Sequence, residues 1–213
     1  MVEVKGTRKY SSPLRDEQAA RTRTRILDAA SELFLERGYA RTTMKDIADR
    51  AGVARDTVHA VFGSKARVLT ALIDIRLVPD NSVENVTEQP HVRAIKDEVD
   101  QRKQIELLAR WLAGLSTQLR PVFEILRTAS AVEPEMADVF HEMDRFRLAN
   151  MHTYAKWIAA RGPLRVSVRK AGEVIWTLAS PDVARMLCDE LGWTEAQHAR
   201  WLVDTLTPTL LPD

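Results

Sequence analysis

The stretch Arg55-Asp56-Thr57-Val58-His59-Ala60 sets two opposite charges, a hydroxyl and an imidazole within little more than one helical turn. Arg55, Asp56 and His59 give such a helix hydrogen-bonding reach, because a guanidinium only donates, a carboxylate only accepts and an imidazole can do either. Ala54, Thr57 and Ala60 keep it slim. A short, narrow helix with one polar face is what the major groove of a duplex admits, provided that a partner helix props it at a fixed angle through a tight turn. A helical hairpin that binds nothing has the same features, and the stretch by itself leaves both readings open.

Charge distribution bears on the choice. Residues 1–76 hold 15 Lys+Arg against 10 Asp+Glu, whereas residues 77–213 hold 16 against 20, so a net charge of +1 conceals a basic front and an acidic remainder. Basic charge confined to a segment with a helix pair points to a polyanion, with double-stranded DNA the commonest one and a merely solvated basic face the alternative. At 213 residues and 45% hydrophobic content the chain can form one sizeable core, or a small domain joined to a larger one. No run of roughly 18 apolar residues spans a bilayer and the first residues lack the apolar core of a signal peptide, so a cytoplasmic protein without a membrane partner is expected. The single cysteine, Cys188, excludes an internal disulfide framework and a multi-cysteine zinc site, and its helical setting reads as a buried small apolar residue. His59, His91, His141, His152 and His198 form no metal-binding spacing, and neither a glycine-rich phosphate loop nor a nucleophile elbow occurs. No metal, no cofactor and no catalytic activity are expected.

The elements that must position the Arg55 segment read as helices, and no strand-like alternation of useful length occurs. Ile26, Ala29, Ala30, Leu33 and Phe34 share one face of a first helix, which Gly38 can end in a left-handed conformation. Thr43 with Asp46 three residues on predicts a capping box opening a second helix, whose buried face is Ile47, Ala48 and Ala51. Ala51-Gly52-Val53 supplies the turn, with Gly52 free to take positive φ. The third helix follows from Ala54 or Arg55 to Phe62, with Val58, Val61 and Phe62 facing inward, and Ser64 can cap a fourth, KARVLTALIDIRL.

Together these residues carry a family resemblance. RTRTRILDAASELFLERGYARTTMKDIADRAGVARDTVHAVFGSKARVLTAL resembles the N-terminal DNA-binding domain of TetR/AcrR-type transcriptional regulators over roughly 50 residues. The matching elements are Ile-Leu-x-Ala-Ala, Gly-Tyr, Thr-Thr-Met-x-x-Ile-Ala, Ala-Gly-Val, Thr-Val and Phe-x-Ser-Lys. The resemblance implies an all-α repressor that binds a pseudo-palindromic operator as a homodimer and releases it on meeting a small-molecule effector. By position, Thr43, Thr57, His59 and Lys65 fall where such proteins touch DNA phosphates, and Arg55, Asp56 and Ala60 where base edges are met. His59 replaces the family's usual Tyr and Ala54 its usual capping Ser or Thr.

The expected organisation is a basic arm over 1–20, a three-helix helix-turn-helix domain over 21–80 with the motif itself at about 43–62, a linker over 81–100, and a larger helical effector-binding and dimerisation domain over 101–213. Lys5, Arg8, Lys9 and Arg15 make the arm basic, and the prolines, Asn and Asp of VPDNSVENVTEQPHVRAIKDEVDQ suggest the linker. Further helices are predicted near 102–119, 121–131, 134–161, 167–179, 181–191 and 194–207. Leu108, Trp111, Leu112 and Leu115 form one apolar face, and Met136, Phe140, Met143, Tyr154, Trp157 and Ile158 form another that also holds Arg147 and Asn150. An inward Arg147 needs either an acidic partner or a ligand. The resemblance puts an effector pocket among these helices, with Trp111, Phe140, Met143, Arg147, Asn150 and Tyr154 as its candidate lining. Ala171 and Gly172 beside Ile175 and Trp176, and the face of Trp201, Leu202, Thr205 and Leu206, read as association surface, with an intramolecular core as the alternative.

Overall fold

Apolar residues recurring every three or four positions build α1 (Pro13–Arg37), and they bury Ile26, Leu27, Ala30, Leu33 and Phe34. The computed structural model describes residues 13–77 and 89–212 and divides the chain into two compact units, one ending at Leu72 and the other starting at Ile73. Every regular element among the described residues is helical.

In the first unit, Gly38 at φ 79° turns the chain out of α1, and Tyr39 packs back on Phe34 with ring centroids 5.2 Å apart. Helix α2 (Met44–Ala51) buries Ile47, Ala48 and Ala51, and α3 (Arg55–Phe62) buries Val58 and Phe62. Helix α4 (Lys65–Leu77) opens with the Arg67 amide donating to the Ser64 hydroxyl at 3.2 Å, as the sequence predicts. Val61 is 37% exposed rather than inward, because the positions taken by Val58 and Phe62 already fill the narrow face of so short a helix.

Two sequence boundaries change. Residues 13–20, read as part of a polar arm, belong to α1: the segment is rich in good helix formers, and Arg21 closes a 2.6 Å pair one turn back on Glu17. Residues 1–12, with Lys5, Arg8 and Lys9, lie outside the described residues, as does 81–88 of the expected linker. The rest of that linker contains a helix, α5 (Pro90–Asp97), started by proline at its first position and held by the buried Val92 and Ile95.

The second unit is built on α6 (Gln101–Ser130), α7 (Pro134–Ala159), α8 (Val168–Leu178) and α10 (Glu195–Leu210), with a short α9 (Pro181–Arg185) running into a π-helical turn, Met186–Glu190. Helix α6 lies against α7 and α10, and α7 against α8. Their common core includes Leu108, Leu112, Tyr154, Ile158, Ile175, Leu202 and Leu206. The break predicted at 120 does not occur. Pro121 is exposed, so the carbonyl one turn back on the exposed Thr117 can turn to water, while Leu119, Val122, Ile125 and Leu126 keep the helix on the core through the proline. Cys188 is half-buried in the π-helical turn.

The small residues read as association surface serve the chain's own packing. Ala171 and Gly172 are buried where α8 meets α7, and a methyl group on Gly172 would lie 2.2 Å from the ring of His152 and 3.0 Å from its Cα. Close approach of two helices is what glycine allows there, and the partner is α7 of the same chain. On α10, Leu202 and Leu206 join the same core, and Trp201 is half-buried against the rings of Trp193 and His198.

Candidate nucleic-acid interface

Four devices hold the two ends of α2, the helix that leads into α3. The first is the predicted capping box. The Asp46 amide donates to the Thr43 hydroxyl at 3.1 Å, and the Thr43 amide and hydroxyl donate to the Asp46 carboxylate at 2.9 and 2.6 Å. These bonds hold the Asp46 carboxyl below the usual carboxylate range, the Thr43 hydroxyl first among the causes. The second is the turn. Gly52 adopts φ 62°, and its amide and that of Val53 return to the carbonyls of Asp49 and Ala48 at 3.2 and 3.0 Å.

The third device has no local signature in the sequence. Arg25, on α1, donates to the carbonyls of Ala51 and Gly52, placing a cation at the carbonyl end of α2. A methyl group on Gly52 would lie 2.9 Å from the same guanidinium, so this glycine serves both the turn's φ and the brace. The fourth is Lys65, whose ammonium donates to the carbonyls of Tyr39 and Thr42, both at 3.1 Å, and sits 4.1 Å from the centre of the Tyr39 ring. Lys65 thereby holds the peptide that enters the Thr43 cap. In addition, Arg50 reaches from α2 to Glu32 and Glu36 on α1, with bonds of 3.0 to 3.1 Å that hold its guanidinium protonated far above neutrality.

Outward on α3 are Arg55, Asp56, His59, Ala60 and Val61, all exposed, with Thr57 half-buried and Thr43 exposed at the start of α2. Neither Arg55 nor Asp56 hydrogen-bonds or ion-pairs with another described residue, although Lys45–Asp49 nearby closes at 2.7 Å. Adjacent helix positions point in different directions, so the two charges cannot neutralise each other. The His59 Nδ1 lies 3.2 Å from the Gly63 carbonyl oxygen, which only accepts, so that nitrogen carries the hydrogen. A neutral ring therefore has no second donor for a phosphate, whereas an imidazolium has one. Ala54 caps α3 without a side-chain bond. The structure thus gathers the sequence-predicted Thr43, Arg55, Asp56, Thr57, His59 and Ala60 around α2 and α3, and it adds a bracing role for Lys65.

The candidate effector residues fall on two helices and at several depths. Trp111 of α6 meets the buried Tyr154 of α7 edge-on, at 5.5 Å between ring centres, and Trp157 adds a third ring at 5.3 Å from Tyr154. Burial pushes the Tyr154 phenol well above its ordinary range. Phe140, Met143 and Asn150 are half-buried along the same helix. From Phe140 to Tyr154 the α7 axis advances about 21 Å, so the set lines a length of helix and not a point. Arg147 is 15% exposed. It bonds to Asp144 at 3.2 Å and to the Trp176 carbonyl of α8 at 2.7 Å, and it stacks 4.6 Å over the Trp176 ring. Its acidic partner lies on its own helix, and burial lowers its pKa against the opposing pull of Asp144. A solvent-open concavity of about 550 Å³ is lined by the other, polar side of α7, including Asp138, Glu142 and Arg145, together with Trp176.

Comparison with known proteins separates the two units. Residues 26–72 match the family described as "Bacterial regulatory proteins, tetR family". The regulator TtgR of Pseudomonas putida is 47% identical over 58 residues, which is 27% of this chain and 28% of TtgR's own length. The repressor BepR of Brucella suis is 25% identical over 211 residues, covering 91% of this chain and 93% of BepR. Among solved structures, the SmeT–triclosan complex superposes with a TM-score of 0.69 at 24% identity, covering 90% of this chain and 92% of SmeT. That likeness extends the common fold through both units. High identity is confined to the segment that carries the capping box, the Gly52 turn and α3, and the helix-turn-helix domain of this chain belongs to the TetR family of bacterial regulatory proteins.

Proposed function

We propose that the protein is a DNA-binding transcriptional regulator that acts in the cytoplasm as a homodimer on a pseudo-palindromic operator and lets go of it on binding a small molecule. The observation that carries the reading is the outward face of α3: Arg55 and Asp56 stand exposed and without partners among the described residues, on a helix joined by the Gly52 turn to an α2 whose two ends are held by Arg25 of α1 and Lys65 of α4. On this reading Arg55, Asp56 and Ala60 meet base edges, and Thr43, Thr57 and His59 meet phosphates. Lys65, expected beside a phosphate, acts first by holding the chain at the entrance to α2. A two-fold dimer presents two such helices to half-sites about one helical turn, or 34 to 36 Å, apart.

Release by a ligand follows from linkage. A small molecule frees the operator only if it binds the DNA-incompetent dimer more tightly, and operator DNA must then weaken ligand binding by the same factor. The fold shared with SmeT, which was solved with triclosan, and the aromatic lining of α6 and α7 support a largely apolar ligand. BepR is named a repressor, which supports the same sign of control here.

Selection of genomic fragments by the purified full chain, with and without a metabolite extract, tests the reading. Enrichment of a palindromic element that the extract abolishes is expected. Fragments bound without sequence preference and without response to extract would leave an architectural DNA-binding protein, and no binding at all would leave a helical interaction module.

A further inference from the structure

The outward face of α3 carries a negative charge where a DNA-binding surface ordinarily carries none. Asp56 is exposed in the first turn, next to Arg55, and bonds to no other described residue. Other cations of the domain have partners of their own: Lys45 with Asp49, Arg50 with Glu32 and Glu36, and Lys65 with the carbonyls of Tyr39 and Thr42. Among the described residues no cation pairs with Asp56, and Arg55, its immediate neighbour on the helix, points away from it.

We infer that Asp56 is a specificity filter that makes α3 select cytosine beside the guanine read by Arg55. The inference rests on the proposed DNA-binding role of α3. A carboxylate only accepts hydrogen bonds, and in the major groove guanine shows N7 and O6 acceptors and thymine its O4 acceptor, all of which repel it. Cytosine offers the N4 amino group, and adenine pairs its N6 donor with an N7 acceptor alongside. Arg55 donates in a fork that suits guanine N7 and O6. Guanine and cytosine in the same or neighbouring pairs therefore satisfy both residues at once, and the exposed methyl of Ala60, one turn along, suits a thymine methyl. Guanine or thymine beside Asp56, and every phosphate, meets a negative charge with no donor to offer it, so the residue works by exclusion as much as by attraction.

This role has an unusual sign. Removing a residue that merely supports the fold weakens binding to all DNA. Removing a filter strengthens binding to unrelated duplex and erodes discrimination. The test is a selection from randomised duplexes with the full-length wild type, Asp56→Asn and Asp56→Ala, followed by affinities for the selected and an unrelated duplex at one salt concentration. Circular dichroism checks helix content, and Asp56→Asn, close in shape, decides the matter if Asp56→Ala loses it. The wild type is expected to enrich half-sites with adjacent guanine and cytosine. Both variants should lose cytosine preference by roughly 5- to 100-fold while binding the unrelated duplex several-fold more tightly. Retained cytosine preference in a folded Asp56→Asn or Asp56→Ala variant overturns the inference and leaves the proposed function standing. Absence of any enriched sequence for the wild type overturns both.

Discussion

Lys65→Ala separates a brace from a phosphate contact. In the folded domain the ammonium donates to the carbonyls of Tyr39 and Thr42 at 3.1 Å each and lies over the Tyr39 ring at 4.1 Å. A hydrogen bond to a charged group contributes about 1.5–3 kcal/mol, and a partly exposed cation–π contact about 0.5–1 kcal/mol. The terms overlap, because one ammonium makes all three contacts and the Tyr39 carbonyl keeps the Thr42 amide at 3.2 Å when the lysine is gone. A loss of about 2–3 kcal/mol is expected, which at an m-value of roughly 2 kcal/mol per molar urea moves the unfolding midpoint of the first unit by about 1 M. Urea titration of the full chain, followed by circular dichroism, measures this. Salt dependence of duplex binding supplies the contrast, since a lysine that chiefly neutralises a phosphate lowers the slope by about one when removed. An unchanged urea midpoint together with a slope reduced by one would show that Lys65 serves the phosphate and that the carbonyl bonds contribute nothing to stability.

Gly172→Ala should lower stability by about 1–3 kcal/mol despite alanine's better helix propensity, because the new methyl lies 2.2 Å from the His152 ring and 3.0 Å from its Cα; calorimetry of wild type and variant decides. Arg147→Met should cost about 1–3 kcal/mol by leaving the Trp176 carbonyl without its donor, and should leave duplex affinity per folded molecule unchanged; denaturant titration paired with a binding isotherm checks both halves. His198 is 1% exposed, and neither ring nitrogen bonds to a described residue; burial, helped by Arg120 and opposed by Glu195, depresses its pKa. The unfolded chain then takes up this proton first, so stability holds above the ordinary imidazole range and falls below about pH 6.5, by at most roughly 1.4 kcal/mol per pH unit; His198→Leu should remove that slope in melts between pH 5 and 8.

Much of the first unit was legible because its signals are local. Thr43-x-x-Asp46 announces a capping box that forms as read, and Gly38 and Gly52 take the positive φ their positions require. The braces were not legible. Arg25 to Ala51 and Lys65 to Tyr39 each cross 26 positions and end on backbone carbonyls, which leave no trace in residue identity. Arg147 shows the same limit from another side: its spacing on α7 reveals that it turns inward, but its partners are an aspartate three residues back and the Trp176 carbonyl on a neighbouring helix. Gly172 signals close approach without saying to what, and the approaching surface is α7. Pro121 reads as a break only if its solvent-facing side is unknown.

The central claim is that the outward face of α3 is the surface that meets DNA. Amide chemical-shift mapping of the full-length protein, titrated with a duplex recovered from genomic selection, tests it most directly. Under this account the largest changes fall on Thr43, Arg55, Asp56, Thr57, His59 and Ala60, with Ile26, Leu33 and Phe34 in the buried face of α1 little moved. Changes centred instead on the second unit, or spread evenly over α1 with α3 silent, would contradict it.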